Sequence, residues 1–196
     1  MYKIIDYYKN YLTTLDFAGN VGGLVVPLSK QDEDNATIVF PAYRDTDPDT
    51  CTDGQYRAMT PDDSQKSVMY FEEITAPTIV EQKSYYEFEA RVRLVCWLNY
   101  SAINYEYHNT DLLQIKCIKA MPEKLANGAV ENYNTVRLWF DKTIEKKEAI
   151  FSAYTYDKFK QYLMFPFDYF AIEFILNYRY YNDCEGDVEL NPVKCL

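Results

Sequence analysis

The sequence predicts an α+β fold: a mainly antiparallel sheet with long strands, and helices packed on one face. Three observations predict it. From Tyr86 to Tyr100 every even-numbered residue is apolar (Tyr86, Phe88, Ala90, Val92, Leu94, Cys96, Leu98, Tyr100). Period-2 alternation sustained this long marks a strand, because successive side chains point to opposite faces. Near the C-terminus the pattern returns at Phe170, Ile172, Phe174, Leu176, Tyr178 and Tyr180. At the N-terminus Ile4, Ile5, Tyr8, Leu12 and Leu15 recur at helical spacing instead. At 3.3 Å per residue the first long strand reaches roughly 50 Å, so it bends across a large sheet or projects from the domain. Its odd positions begin Glu87, Glu89, Arg91, Arg93 and turn apolar at Val95 and Trp97. That change predicts a strand half-buried at its start and buried on both faces at its end.

Taken in order, residues 2–17 read as an amphipathic helix, closed by Gly19-Asn20 and Gly22-Gly23. Leu24-Val25-Val26 and Thr37-Ile38-Val39-Phe40 read as short strands, the second ended by Pro41. Residues 41–66 lack a hydrophobic period and form a long acidic loop, a length that is commonly functional or disordered. Strand character resumes from Val68 to Ile74, Pro77 interrupts it, and the long strand follows over 85–100. Asn109-Thr110-Asp111 caps a helix over 111–121, stopped by Pro122. Val136, Leu138 and Phe140 alternate as a strand, Asp141 opens a helical stretch within 141–165, and 168–181 is the closing strand. The even-numbered residues of both long strands are expected to face the helices. Residues 182–196, with Gly186 and Pro192, read as a mobile tail. The whole, 1–196, fits one domain.

Composition narrows the function classes. The chain carries 20 Tyr, 11 Phe and 2 Trp, and tyrosine serves interfaces as well as half-exposed strand positions. A net charge of −10 argues against phosphate-backbone binding, while an acidic wall lets DNA pass without adhering. No apolar run is long enough to span a membrane, and Met1-Tyr2-Lys3-Ile4-Ile5-Asp6 lacks a signal-peptide core. Of the five cysteines, Cys96 and Cys117 fall on apolar faces as small hydrophobes, and only Cys184 and Cys195 are close in sequence.

Catalytic signals are sparse. The single histidine, His108, sits in a turn beside a helix start and reads as an exposed neighbour of the cap. Asp45, Asp47, Asp49 and Asp53 recur as oxygen ligands do in a calcium loop, but Thr50 stands where glycine is wanted and Tyr56 where a bidentate glutamate is wanted. They read as a solvated loop, with no metal and no cofactor expected. The carboxylate pairs Glu72-Glu73 and Glu87/Glu89 have a spacing that any sheet produces. Arg91 and Arg93 call for a complementary face, which Glu173 and Arg179 of the closing strand offer within the subunit, or a neighbouring subunit offers across a boundary.

The order of elements resembles that of tail-terminator and head–tail connector proteins of tailed bacteriophages. The long strand Tyr85–Tyr100, the helix Asp111–Met121 and the closing strand Phe167–Tyr181 carry the likeness. The resemblance implies a tail-terminator-like, non-enzymatic subunit of a homomeric ring around the DNA channel of a virion, made in the bacterial cytoplasm. Its implied partners are copies of itself and other virion proteins, with DNA passing nearby unbound and no membrane. No functional residue carries over. From the residues, the candidate subunit contacts are Asp45, Asp47, Asp49, Asp53, Arg91, Arg93 and Trp97. The alternative is a carbohydrate-binding or adhesin-like β-rich module stacking sugars on Tyr85, Trp97, Tyr105 and Tyr107.

Overall fold

The computed structural model describes residues 1–31, 35–44, 56–82, 85–104, 108–155 and 162–180. In chain order the elements are α1 (Tyr2–Leu12), β1 (Asn20–Gln31), β2 (Thr37–Arg44), β3 (Tyr56–Ala58), β4 (Ser67–Gln82), β5 (Tyr86–Asn99), α2 (Thr110–Ala120), β6 (Tyr133–Ile144), α3 (Lys147–Phe151) and β7 (Phe167–Tyr180). The strands form one seven-stranded sheet in the order β3-β2-β1-β4-β5-β7-β6. Every strand pair but one is antiparallel; β1 and β4 run parallel. The fold is therefore α+β, as the alternation and helical spacing predict.

Both faces of the sheet are covered at one end. On the even face of β5, Val92, Leu94, Cys96 and Leu98 pack with Ile172, Phe174 and Leu176 of β7 beneath Ile4, Ile5, Tyr8 and Leu12 of α1 and Leu113 and Cys117 of α2. Each large apolar side chain so buried contributes roughly 2 kcal/mol of transfer free energy. Burial and the adjacent Cys117 push the Cys96 thiol well above its usual range. On the odd face, Val95, Trp97 and Ala171 pack with Tyr70, Val25, Tyr43 and Met59 beneath Ile150 and Phe151 of α3.

Several boundaries differ from the sequence reading, each for a local reason. Helix α1 stops at Leu12 because the hydroxyls of Thr13 and Thr14 donate to the carbonyls of Asn10 and Tyr11, both at 2.7 Å. Pro41 does not end β2. It lies opposite Pro27 of β1, and two residues without N–H can face each other only where the ladder needs no bond from either. Pro77 does not end β4 either, since the register shifts between Thr75 and Thr78 leave it in a bulge. The expected loop 41–66 is shorter at both ends: Pro41–Arg44 belongs to β2, Tyr56–Ala58 forms β3, and Met59 is fully buried.

The largest correction falls on 141–165. Asp141–Ile144 continues β6, with Lys142, Thr143 and Ile144 paired to Glu173, Ile172 and Ala171 of β7. Among the described residues the α-helix there is five residues long and sits on the opposite face from α1 and α2, while 156–161 lie outside the described residues. Cross-strand charge pairing outweighs the capping tendency of Asp141, and the apolar odd face needs its own cover. The expected C-terminal tail lies outside the described residues.

The junction between β1 and β4 sets the sheet's shape. Ser67 Oγ donates to the Phe17 carbonyl at 2.8 Å and accepts from the Gly19 amide at 3.0 Å. A Cβ on Gly19 would lie 2.4 Å from the Ser67 carbonyl oxygen, so only glycine permits this approach. Strand β1 pairs β4 from Asn20 to Leu24, against Val68 to Phe71, and from Val25 onward it pairs β2 instead. The sheet forks there. Past Phe71, among the described residues, β4 keeps β5 as a neighbour and has no strand on its other side.

Candidate interaction surface

A ladder of alternating charge crosses four strands on the odd face. Glu72 of β4 lies opposite Arg93 of β5, Arg93 opposite Glu173 of β7, and Glu173 opposite Lys142 of β6. Arg93 Nη2 donates to Glu173 Oε1 at 2.7 Å, Lys142 Nζ reaches Glu173 Oε2 at 3.1 Å, and Arg93 Nη1 donates to the Ala149 carbonyl at 2.9 Å. Burial pushes the Glu173 carboxyl up, but Arg93 and Lys142 outweigh it and hold the group below its ordinary range. Glu72 ends on the other side: its burial dominates the hydrogen bond from Tyr154 and the attraction of Arg93, and its pKa is raised.

Beyond this ladder the sheet loses its second cover. Residues 73–76 and 78–80 of β4 are exposed, and 86–88 of β5 are half-buried. The even face there carries contiguous rings: Tyr86 beside Phe88, Phe88 stacked on Tyr178 at 5.3 Å, and Tyr133 edge-on to Tyr178 and Tyr180 at 5.4 and 5.9 Å. The N-terminal amine donates to the Tyr133 hydroxyl at 3.4 Å, which anchors the start of α1 on these rings. Burial, with Tyr133 and Glu73 nearby, pushes the Tyr178 hydroxyl to about 12. The odd face there is charged: Arg179 donates to Glu87 at 2.7 Å beneath the Tyr85 ring, and Arg91 to Asp141 at 2.8 Å. Along the open edge of β4, Ile79 is 54% and Val80 53% exposed, and Ile74 further back on the strand is exposed as well.

The residues singled out from sequence divide three ways. Asp45, Asp47, Asp49 and Asp53 lie outside the described residues, as do Tyr105 and Tyr107. Trp97 is 2% exposed and stacks on Phe151 at 4.6 Å, so its ring belongs to the subunit's own core and presents no surface to a neighbour or a sugar. Arg93 is likewise closed over by Glu173 and Glu72 of its own chain. The plain reading of facing charges on the two long strands holds for Arg93–Glu173 and Glu87–Arg179. Arg91 alone of the three described candidates keeps a substantially exposed side chain, although it pairs with Asp141.

The open β4 edge was not anticipated. The signal was present, because Thr78-Ile79-Val80 resumes strand texture after Pro77, but the proline was read as a break.

Two of the cavities lined by described residues bear on function. One, of about 480 Å³, is polar and lined by Asn109, Thr110, Asp111, Glu145, Asp168 and Tyr169 at the start of α2. Its Asp168 accepts hydrogen bonds from Thr110 and, at 3.1 Å, from Tyr100, tying α2 to the ends of β5 and β7. His108 is exposed beside it, with Nε2 at 2.8 Å from the Tyr100 carbonyl. The other, of about 270 Å³, lies between α1 and the β1–β2 strands and is lined by Tyr2, Asp6, Leu24, Val26, Tyr43, Arg44 and Tyr56. Among the described residues no helix is long and apolar enough to cross a membrane. Comparison of the chain with family models, with curated proteins and with solved structures finds no match.

Proposed function

We propose that this chain is a non-enzymatic structural subunit that closes into a homomeric ring at the neck or tail end of a bacteriophage particle, around the DNA channel. The observation that carries the assembly part is the uncovered half of the sheet. There, strands that are buried on both faces at one end continue into an arm with an open β4 edge and exposed Ile79 and Val80. A monomer exposes such an edge at the risk of indiscriminate pairing, whereas an assembled subunit covers it. The virion setting rests on the order of elements, with an N-terminal helix, long paired strands, a helix and a long closing strand. The net charge of −10 suits a channel that must release the DNA passing through it. Electron microscopy of the purified chain and of its native particle tests the reading: closed rings of one subunit type support it, and a strictly monomeric chain with no place in a particle overturns it.

A carbohydrate-binding module is the second reading. The tyrosine-lined cavity favours it, because Tyr2 and Tyr56 expose their rings at its rim with Asp6 and Arg44 as polar groups. Glycan-array binding by a monomer, lost in Tyr56→Ala, would establish it in place of the ring.

A further inference from the structure

We infer that residues 145–155 form a clasp across the odd face, which holds the β1–β2–β3 prong of the fork to the rest of the sheet and opens as a unit before the long strands do. The inference does not depend on the ring reading. The segment crosses the strands in the order in which the sheet arranges them. It leaves β6 at Ile144, opposite Ala171 of β7. The Ala149 carbonyl accepts from Arg93 of β5 at 2.9 Å, and Tyr154 hydrogen-bonds Glu72 of β4. At β2 the Thr155 amide donates to the Val39 carbonyl at 2.9 Å, and Thr155 Oγ1 accepts from the Val39 amide at 3.1 Å.

Both prongs are caught beyond the point where the ladder lets go. The β1–β4 seam is last registered at Leu24–Phe71, and Glu72 lies past it on one side. Val39, opposite Ser29 of β1, lies past it on the other. Val39 and Ser29 face each other with the same parity as Pro41 and Pro27, a position without ladder bonds. The amide and carbonyl of Val39 therefore point to the outer edge of β2, and Thr155 engages both. Pro41, Met59, Trp97 and Tyr154 close around this contact and leave a void of only about 10 Å³.

The clasp is lightly built. Of residues 145–155 only Ile150 and Phe151 are buried, and α3 has no side-chain cap at its start. Those two side chains pack at once on Val25 and Tyr43 of the prong and on Tyr70 and Val95 of the other strands, so lifting them frees one from the other. The polar ties to β5, β4 and β2 are individual hydrogen bonds, whereas β5 and β7 match along fourteen consecutive pairs. Few apolar anchors and an exposed backbone put a segment at the low end of local stability. Its root is firmer, since Gln114 Nε2 donates to Glu145 Oε1 at 3.0 Å, and opening starts at Thr155.

The test compares the full chain with the double variant Tyr154→Phe, Thr155→Val, which removes two side-chain hydrogen bonds and no buried apolar group. Circular dichroism checks that the variant folds, and amide exchange is followed by nuclear magnetic resonance at rising, sub-denaturing urea. The Ile150 amide is the probe of the clasp, because its bond to the Lys146 carbonyl does not survive in a five-residue helix lifted off the sheet. In the natural chain it should exchange through an opening that urea scarcely promotes, while Val92 and Leu94 depend on urea steeply. In the variant, at low urea, the amides of Ile150 and of the seam residues Val21 and Leu24 should all exchange about tenfold faster. Three results would each overturn the inference. Ile150 exchanging only along the steep course of Val92 means that the clasp is no separate unit. An Ile150 amide unmoved by the variant means that the two bonds hold nothing. Seam amides unmoved while Ile150 quickens mean that the clasp does not hold the prong.

Discussion

Arg93 and Glu173 face each other in register across β5 and β7, joined at 2.7 Å, with side chains only 15% and 7% exposed. The pair stands where the sheet passes from the doubly covered end to the uncovered arm. Removing one member strands the other in a poorly solvated site. Arg93→Met is therefore expected to cost about 3 kcal/mol at neutral pH, read from urea denaturation. Without Arg93 the carboxyl of Glu173 is left with burial and Lys142 alone, so its folded-state pKa rises. The gap between natural chain and variant should then shrink as the solution is acidified and Glu173 becomes protonated; a gap that is constant with pH contradicts the assignment.

The two glutamates flanking Arg93 are expected to respond oppositely. Glu173 has a folded-state pKa below its unfolded value, so it contributes stability that is present above the ordinary carboxylate range and lost as pH falls through the folded value. Glu72 has a raised folded-state pKa, so its ionised form is a cost at neutral pH that is relieved on acidification. At pH 7 Glu173→Gln should lose about 2 kcal/mol, while Glu72→Gln should be neutral or stabilising. Equal losses in parallel denaturation curves would refute this.

Trp97 is expected to matter for folding and not directly for contact between subunits. Trp97→Ala removes the ring that stacks on Phe151 and touches Tyr169, and should cost about 3–5 kcal/mol, with the near-ultraviolet dichroism of the packed aromatics weakened. Phe140→Ser, at a half-exposed position, should change stability by less than about 1 kcal/mol. The reverse ranking would show that the odd-face core is not as described.

Gly19→Ala places a methyl group against the Ser67 backbone and should destabilise by about 2 kcal/mol, by pushing the start of β1 off β4. Gly128, at φ +77° with open space around it, tests the other constraint: an alanine there strains the backbone without a clash. Calorimetry of both variants, with the larger loss at Gly19, is the expected result.

His108→Ala is expected to leave assembly and biological function intact. The residue is exposed and its ring contacts Tyr100 at the surface, so its loss should cost about 1 kcal/mol or less. Loss of function in a variant that still folds and assembles would reopen a catalytic reading.

The long strands and the face they present to α1 and α2 were readable because alternation over a dozen residues has no competing explanation. The odd face was also readable, since Val95 and Trp97 announced a second buried surface. Its cover was expected as a longer helix within 141–165 on the same face as α1 and α2; five residues from Lys147 to Phe151 are too few for periodicity to show which face they bury. Prolines misled twice. Pro41 and Pro77 are breakers only where the ladder needs their N–H, and sequence does not say which positions those are. The fork was illegible for a different reason: β1 changes neighbour at Leu24 beside a register shift, and its run of buried residues from Val21 to Val25 does not tell one neighbour from another. The open β4 edge, which follows from the fork, was hidden with it.

The fork also bears on cooperativity. The β1–β4 seam is registered at Asn20–Val68, Val21–Met69 and Leu24–Phe71, whereas β5 and β7 match along fourteen consecutive pairs. Much of the tie between the first three strands and the other four thus passes through this short seam and the packing of α1. The amides of Val21 and Leu24 should exchange with solvent well before those of Val92 and Leu94, and the N-terminal strands can come loose while the long hairpin keeps its shape. A subunit built this way has a yielding half and a stiff half, and in a ring the stiff half would carry the load from one copy to the next.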